Sequence, residues 1–234
     1  MSPTPAYTLY HLPGSQSTAP HWLLLTLAPG VTFRTVKVDV HAGEQFDPAF
    51  LAVNPKGKIP ALVVHDAADL VVTESAAIVY YLASRHAPHL VPSPTAAPAQ
   101  VAAFHEQFAW FASTLSADIR LWFFAQEEGE RAVPGWSSAD AHAVRRLARS
   151  RLEKDYAYLD TVLAQRAYLT GEGPSVVDFL VVAATSLSEG LLAFARAHPH
   201  VAAFLGRMYA TPGWKALVEA DKFVPAQGDE AWGL

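Results

Sequence analysis

The residues with the clearest capacity for chemistry lie in two short segments, 54–62 and 73–76. Pro60 precedes an apolar run, residues 61–64, that is typical of a strand, and a proline at a strand start donates no hydrogen bond. A cis Ile59–Pro60 bond would leave the backbone N–H and C=O of Ile59 facing outward at a sheet edge. Such an edge pairs with an added extended peptide. Because only about 5–6% of X–Pro bonds in folded proteins are cis, Pro60 alone favours an ordinary trans strand start.

Glu74 and Ser75 open the next predicted helix, residues 74–86. Taken alone, they favour a plain helix start, because acidic and hydroxyl side chains are common in first turns. The same position suits ligand binding, since a helix N-terminus attracts an anion and a carboxylate attracts a cation. Their position soon after Pro60 strengthens the interpretation that Ile59 presents a free edge. Lys56 and Lys58 alone would be ordinary surface lysines.

The elements that must position these residues follow the order β-α-β-α-β-β-α within the first 90 residues. The second strand is expected to cross over a helix and lie parallel to the first, and the terminal hairpin to add an antiparallel pair. Ser17 is predicted to cap the first helix, which Pro29 and Gly30 end. The predicted strands are residues 7–10, 33–40, 62–65 and 70–72, the last two joined by residues 66–69, and residues 42–52 form a short, weakly amphipathic helix.

The second half has a different pattern. Three prolines fall among eight residues at 87–94, which indicates a linker. Beyond it, no convincing strand occurs from residue 98 to 190. The predicted helices cover residues 102–126, 139–165, 175–189, 201–209 and 214–220. The third is apolar nearly all round and should be buried, and Ser175 with Asp178 forms a capping box at its start. We therefore expect an α/β domain over 6–87, a linker over 88–97 and an all-α domain over 98–234.

Composition excludes several classes of function. The chain has 234 residues, enough for two domains with real cores, and no apolar run reaches membrane-spanning length despite a mean hydropathy of +0.15. A net charge of -5 argues against nucleic acid or an anionic membrane as the main partner. With no cysteine, any thiol must come from a ligand, and a thioredoxin-type reductase that uses its own cysteines is excluded. The first residues lack a signal-peptide pattern, so we expect a cytoplasmic protein.

The motifs together resemble those of the cytosolic glutathione transferases, of the bacterial type with a serine in the active-site loop. The resemblance rests on three features: the motif Asn-Pro-x-Gly-x-Ile-Pro-x-Leu at 54–62, Glu-Ser at 74–75, and a proline-rich linker into an all-α domain. Residues 12–15 are similar to the family's active-site loop, and residues 168–178 resemble the capping element of its buried helix. No single motif is specific, but their order and intervals are. The resemblance spans nearly the whole chain and implies a thioredoxin-like N-terminal domain.

The resemblance implies glutathione as the ligand and co-substrate. The cysteinyl backbone of glutathione would pair with Ile59 at the edge exposed by Pro60. Glu74 would take the γ-glutamyl ammonium, while Ser75 would take its carboxylate through the hydroxyl and backbone N–H. Lys58 would meet the glycyl carboxylate, and Lys56 is the second candidate for this contact.

Ser15 is the predicted catalytic residue, because it lies between the first strand and the first helix, where a hydroxyl can point at a bound sulfur. A free thiol has a pKa of about 8.5, and lowering it by roughly two units requires about 2.7 kcal/mol. One charge-assisted hydrogen bond supplies on the order of 1.5–3 kcal/mol, so a hydroxyl donor and a helix N-terminus suffice. Ser17 has the same chemistry, but its position favours a capping role. Tyr10 resembles a strand tyrosine used in some branches of the family, but its place late in a strand favours an aromatic residue of the core. Gln16 stands where other branches place a cysteine, and it is a candidate donor to the sulfur or the peptide of the ligand.

The electrophile is expected to bind between the domains, against the aromatic helix. His105, Phe108, Phe111 and Trp122 are the candidates, with Trp110 beside them, although aromatics at helical spacing are more often core. No metal site is predicted, because the ten histidines show no ligand spacing.

The predicted activity is transfer of the glutathione thiolate to a hydrophobic electrophile by a homodimer. Reductive dehalogenation, ether cleavage and peroxide reduction are variants on the same site. A binding module that has lost turnover is the rival from another class, and retention on immobilised glutathione would separate the two.

Overall fold

The computed structural model describes residues 5–28, 30–66, 70–124 and 137–222. Its N-terminal part contains a four-stranded sheet in the order β2-β1-β3-β4. The strands are β1 (Tyr7–His11), β2 (Phe33–Lys37), β3 (Ala61–Val64) and β4 (Leu70–Thr73). β1 pairs with β2 in parallel and with β3 in antiparallel, and β3 pairs with β4 in antiparallel. The predicted parallel crossover and antiparallel hairpin are therefore confirmed; residues 67–69 of the hairpin turn lie outside the described residues.

Three helices accompany the sheet: α1 (Thr18–Leu27), α2 (Pro48–Leu51) and α3 (Ser75–His86). The prediction of one helix over residues 42–52 is wrong. A 3-10 turn, Glu44–Phe46, comes first, and Asp47 is extended with φ -63° and ψ 139° before α2 begins. A residue that precedes a proline is sterically disfavoured in the helical region, so Pro48 starts a new helix and cannot continue the old one.

Strand β2 ends three residues before the predicted end at residue 40. Val38 still donates a backbone hydrogen bond to His11, but the carboxylate of Asp39 then accepts from the backbone N–H groups of His41 and Ala42. An aspartate that bonds to the backbone two residues on favours a turn over a ladder.

In its described residues, the second part of the chain consists of helices joined by turns and short loops, one of which contains an isolated bridge pair between Tyr168 and Gly171. Its helices are α4 (Pro98–Trp110), α5 (Ser116–Phe124), α6 (Ser138–Leu163), α7 (Val176–Thr185), α8 (Glu189–Arg196), α9 (Pro199–Tyr209) and α10 (Pro212–Asp221). A π-helical turn, Phe111–Leu115, joins α4 to α5. The predicted aromatic helix over 102–126 is therefore continuous in its described part, and residues 125–126 lie outside it.

Helix α7 is buried along its whole length, as predicted, but it ends four residues before the predicted end at residue 189. The hydroxyl of Ser186 donates back to the Val182 carbonyl, and Ser188 accepts from the backbone N–H of Leu191 to cap a separate helix, α8. Serine side chains that bond to nearby backbone groups compete with the helix ladder, which accounts for the break.

Trp22 of α1 joins the two parts of the molecule. It is completely buried, and its ring lies 4.3 Å from that of Phe179 in α7 and 4.8 Å from that of Trp214 in α10. Gly213 makes this approach possible, since a Cβ there would lie 2.1 Å from the Thr26 hydroxyl. Removing a buried Trp ring typically destabilises a core by about 3–5 kcal/mol, so this contact is a main link between sheet domain and helical domain.

Among the described helices, none has by itself the length and apolar composition of a membrane span. Helices α7 and α8 reach both only when taken together, and the chain bends by 116° between them.

Candidate active site at the N-terminus of helix α3

A cavity of about 720 Å³ lies between the N-terminal end of α3 and the α4–α5 helix. This volume falls in the range of roughly 300–1,000 Å³ that is typical of small-molecule sites. Six lining residues are those predicted to bind the tripeptide: Gln16, Lys58, Ile59, Pro60, Glu74 and Ser75. The helical domain supplies the opposite wall through Phe111, Ala112, Ser116 and Arg120. The cavity therefore has a polar wall from one domain and a mixed wall from the other.

The turn before β3 is held by Asn54, which is buried. Its side-chain amide donates to the Lys58 carbonyl at 2.5 Å, and its side-chain oxygen accepts from the backbone N–H of Lys56. Gly57 has φ +60°, and a Cβ there would lie 3.1 Å from the Phe46 ring, so the turn requires glycine. The Ile59–Pro60 bond is cis, and the β3 ladder begins only at Ala61. Ile59 thus lies at the cavity just outside the paired region of the strand.

Glu74 has an unusual backbone conformation for a residue that is not glycine, with φ 72°. Its side chain is 65% exposed, and its Oε1 lies 2.8 Å from the Lys56 ammonium, which also donates to the Thr73 hydroxyl. The hydrogen bond from Lys56 is the main reason that the pKa of Glu74 is lowered, with the charges of Lys58 and Arg120 adding to it. Backbone conformations of this kind cost about 1–3 kcal/mol and are concentrated at functional sites. Glu74 is therefore an ionised carboxylate held at the cavity edge.

Ser75 connects the start of α3 to the loop between β1 and α1. Its hydroxyl donates to the Gln16 carbonyl at 2.6 Å. This contact places Gln16 beside the first turn of α3, where backbone N–H groups have no partner within the helix. An anion at this end of the cavity would meet those N–H groups and the positive end of the helix dipole.

Ser15 and Ser17 bond mainly to their own loop. The Ser15 hydroxyl donates to the Leu12 carbonyl at 2.7 Å and lies 2.7 Å from the Ser17 hydroxyl. Ser17 is buried and is the N-cap residue of α1, as predicted by position, but its side chain makes no capping hydrogen bond. It bonds to the backbone N–H and C=O of Leu12. Neither serine is among the residues that line the cavity, so a hydroxyl that contacts a bound sulfur would have to give up a bond within the loop.

Tyr10 also lies away from the lining residues. Its ring packs 5.7 Å from that of Phe50 in α2, and its backbone pairs with Ala61 and Val36. This contact matches the interpretation of Tyr10 as an aromatic residue of the domain's packing.

Of the aromatic residues predicted for the second pocket, the structure brings Phe111 to the cavity. The rings of His105 and Phe108 pack against Phe104, and Phe108 also contacts Tyr80 of α3. Trp122 packs against Phe194 of α8. Aromatic residues at helical spacing cover more than one face of a helix, so only some of them can face a given cavity.

Arg120 is a charged residue of the cavity that was not predicted from the sequence. It lines the cavity together with Ala112 and Ser116, and the three are four residues apart along the helix. Residues at i, i+4 and i+8 lie close to one helix face. The spacing of two small residues and an arginine therefore indicates, from the sequence alone, that the three share a face. Its positive charge adds to the lowering of the Glu74 pKa. The cavity therefore has cationic groups on both walls.

Comparison with known proteins gives a consistent result for both domains. The family profile described as "Glutathione S-transferase, N-terminal domain" matches residues 5–84, and the corresponding C-terminal domain profile matches residues 132–212. Glutathione S-transferase 3 of Zea mays is 32% identical over 212 residues, which cover 86% of this chain and 89% of that protein. The chain belongs to the glutathione S-transferase family.

Further members support this assignment. Glutathione S-transferase D6 of Drosophila melanogaster is 27% identical over 209 residues, which cover 88% of this chain and 89% of that protein. The solved structure of a sphingomonad glutathione S-transferase complexed with glutathione superposes with a TM-score of 0.74 at 26% identity, covering 93% of this chain and all of the other. The predicted thioredoxin-like domain followed by an all-helical domain, and the assignment to the glutathione transferases, are confirmed.

Proposed function

We propose that the cavity at the N-terminus of α3 binds glutathione and that the protein transfers the glutathione thiolate to a hydrophobic electrophile. The observation that carries this proposal is the meeting of Glu74, Ser75, Ile59, Lys58 and Arg120 in one cavity. Glutathione has an ammonium, two carboxylates and an extended backbone. The cavity has a partner of suitable chemistry for each of these groups.

The γ-glutamyl end of the ligand is assigned to the start of α3. The Glu74 carboxylate takes the ammonium, and the backbone N–H of Ser75 takes the carboxylate, with Arg120 near enough to add its charge. The Ser75 hydroxyl joins them by exchanging its bond to the Gln16 carbonyl for one to the ligand carboxylate. Hydrogen bonds to charged groups contribute about 1.5–3 kcal/mol each. Because Lys56 already contacts Glu74, the ligand ammonium competes with it for the same carboxylate.

The rest of the tripeptide is assigned to the turn before β3. The cysteinyl backbone pairs with Ile59, and Lys58 takes the glycyl carboxylate. The sulfur then lies toward the loop of Ser15 and Gln16, at the N-terminal end of α1. Donation from the Ser15 hydroxyl lowers the pKa of the thiol. The thiolate sulfur forms a bond to the electrophilic carbon while the leaving group, for example a halide, departs with its bonding electrons, and the thiol proton goes to solvent.

The electrophile is assigned to the wall formed by Phe111, Ala112 and Ser116. Phe111 offers an aromatic face, and Ala112 leaves room beside it. A homodimer and a cytoplasmic location remain predictions from the family and the sequence, and sedimentation equilibrium measures the first of them.

The experiment for the catalytic role compares Ser15→Ala with Ser84→Ala, a matched change on the exposed face of α3. We expect Ser15→Ala to lower kcat with an aryl halide by about 10- to 150-fold, since it removes a hydrogen bond worth about 1.5–3 kcal/mol to the thiolate. The affinity for glutathione should stay near the wild-type value, and Ser84→Ala should behave as wild type. Full turnover in Ser15→Ala would assign the role to Ser17 or Tyr10 instead.

A second activity on the same cavity is supported by one relative. A 57-residue stretch of the chain is 47% identical to the disulfide-bond oxidoreductase YfcG of Escherichia coli. Since this chain has no cysteine, such a reaction would need two glutathione molecules. The first thiolate attacks a disulfide and releases one thiolate, and the second attacks the mixed disulfide to give oxidised glutathione and the other thiol. Hydroxyethyl disulfide, assayed beside aryl halides and hydroperoxides, measures the balance between these activities.

A glutathione-binding module without turnover is the remaining alternative. Retention on immobilised glutathione with no turnover of any substrate class would support it. Failure to be retained at all would contradict the assignment of the cavity to glutathione.

A further inference from the structure

Two histidines and an aspartate meet at a point where three elements converge. His11 is the last residue of β1, His21 lies in the first turns of α1, and Asp221 is the last residue of α10. Asp221 Oδ1 lies 2.8 Å from His21 Nδ1 and 4.0 Å from His11 Nε2. One ligand atom from each residue lies within 4.8 Å of the other two. The three side chains are only 2–6% exposed.

The polar atoms of this cluster are not satisfied by one another. In the part of the chain that the structure describes, His11 Nδ1, His21 Nδ1 and Asp221 Oδ2 are buried without a hydrogen-bond partner. The approach of His21 to Asp221 at 2.8 Å therefore has the distance of an ion pair but not the direction of a hydrogen bond. Buried polar atoms without partners are rare and costly, so three in one cluster point to a ligand shared among them.

We propose that His11, His21 and Asp221 form a binding site for a divalent transition metal ion, with Zn²⁺ as the ion that fits best. Two imidazoles and one carboxylate are ligands that zinc prefers. Zinc bonds of about 2.0–2.2 Å place neighbouring ligands of a tetrahedral ion about 3.3–3.6 Å apart. The Asp221 oxygen lies 2.8 Å and 4.0 Å from the two imidazoles, and the ligand atoms all lie within 4.8 Å of one another, so shifts of about 1 Å would complete the site. Three protein ligands leave a fourth position for water or another donor.

The sequence gives no sign of this site. His11 and His21 are ten residues apart, and Asp221 is 200 residues further along the chain. Only the packing of α10 against α1 brings the carboxylate to the two imidazoles. The surroundings suit a closed site, since the Phe33 ring lies 5.8 Å from the His21 ring.

The position of the ion gives it a structural role. His11 and His21 stand on either side of the loop 12–17, which carries Ser15 and Gln16. An ion bound by both histidines and by Asp221 would hold the two ends of this loop and attach α10 to the sheet domain. This inference does not depend on what the cavity binds.

The experiment uses the full chain without a histidine tag, treated with EDTA and then titrated with Zn²⁺ alone. We expect one tight site per chain in calorimetry and a rise in Tm of about 5–10 °C when free Zn²⁺ is 100-fold above its Kd. Asp221→Asn and His21→Gln should weaken this site by about 100-fold or more and remove the Tm shift. His89→Gln, which changes an exposed histidine in the linker, should keep both.

Two results would overturn the proposal. One is the absence of saturable binding by the folded wild-type chain. The other is unchanged affinity and stoichiometry in Asp221→Asn, which would assign the zinc to surface histidines. Visible absorption of Co²⁺ bound to the wild-type chain covers the case in which the variants do not fold. Bands of a four-coordinate ion, displaced by one equivalent of Zn²⁺, support the site, and a spectrum of hexa-aquo Co²⁺ contradicts it.

Discussion

Two helices of this protein begin with the same kinds of residue and serve different purposes. Helix α3 begins at Glu74-Ser75, and α7 begins after Ser175 with Asp178 in its first turn. The Glu74 carboxylate is 65% exposed at the cavity and touches one lysine. Asp178 is completely buried and accepts from the backbone N–H groups of Leu169 and Ser175 and from the Ser175 hydroxyl. One helix start is therefore open to a ligand, and the other is closed by the protein itself.

The pKa values of the two carboxylates, Glu74 and Asp178, are shifted in opposite directions. The Lys56 ammonium lowers the pKa of Glu74, while burial raises the pKa of Asp178 to about 6 against the opposing effect of its hydrogen-bond donors. A charged residue at a helix start thus stays ionised and accessible to a ligand when solvent and a cation surround it. It becomes a structural group when backbone donors use all of its oxygen atoms.

The largest expected effect is at Asp178, the carboxylate that closes the start of α7. Replacing it with alanine leaves three buried donors without an acceptor, so we expect Asp178→Ala to lower the free energy of unfolding by about 3–5 kcal/mol. Urea unfolding at pH 7 measures the change. Asp140→Ala is the matched control, since Asp140 closes the same kind of capping box with Ser137 at the exposed start of α6. If Asp178→Ala were as stable as Asp140→Ala, the structural role of Asp178 would be contradicted.

Of the two serines at these helix starts, Ser175 should mainly affect stability and Ser75 should mainly affect glutathione binding. Ser175→Ala removes a buried donor to Asp178 and is expected to cost about 1–3 kcal/mol in stability. Ser75→Ala removes the bond to the Gln16 carbonyl at the half-buried cavity wall. It should weaken glutathione binding by about 2- to 12-fold, equivalent to about 0.5–1.5 kcal/mol, with a smaller effect on unfolding. Calorimetric titration and urea unfolding of both variants measure the two effects; a reversed pattern would refute the division.

Another buried acid of the helical domain should make stability depend on pH. The pKa of Asp155 is raised to about 7, mainly by burial and further by the charge and the hydrogen bond of the neighbouring Asp118. An unfolded aspartate has a pKa of about 3.9, so the folded state holds more protons between pH 4 and 7. The free energy of unfolding should therefore fall as pH rises through this range.

Asp155→Asn removes this titration and should flatten the decline between pH 4 and 7 by on the order of 1 kcal/mol, after allowance for screening. Urea unfolding at four pH values checks it. Glu153→Gln, on an exposed face of the same helix and paired with Arg149, should keep the wild-type slope. An unchanged slope in Asp155→Asn would contradict the proposed protonation.

The smallest effect is expected at Lys56. Its ion pair with Glu74 is exposed on both sides, and such pairs contribute about 0–1 kcal/mol. Lys56→Met keeps the alkyl chain and should change the free energy of unfolding by less than about 0.5 kcal/mol. A loss above 1 kcal/mol would mean that the start of α3 is a structural element after all.

Much of this arrangement was predictable from the sequence. The order of the elements along the chain, the Pro60 turn, the capping box of Asp178 and the place of Glu74 at a helix start follow local rules of backbone and helix ends. Arg120 and the His11, His21 and Asp221 cluster were missed, because their meeting depends on tertiary packing between distant segments. The break at Ser186–Ser188 was missed because the apolar pattern continues through it, while side chains that bond to the backbone end the helix.

The contacts of the Ser15 hydroxyl also depend on the folded structure and were not predictable from the sequence. Sequence position puts Ser15 in the right loop but does not give the direction of its side chain. That direction is set by the Leu12 carbonyl and by Ser17, which the folded loop brings within hydrogen-bond distance.

The most direct test of the central claim compares two peptides on one site. Glutathione and cysteinylglycine differ by the γ-glutamyl group that we assign to Glu74 and Ser75. Calorimetric titration should show that the wild-type chain prefers glutathione by about 100-fold or more, and that Glu74→Gln weakens glutathione by about 10- to 100-fold while leaving cysteinylglycine unchanged. Glu153→Gln should match wild type. Equal binding of the two peptides by the wild-type chain, or undiminished glutathione affinity in Glu74→Gln, would contradict the account.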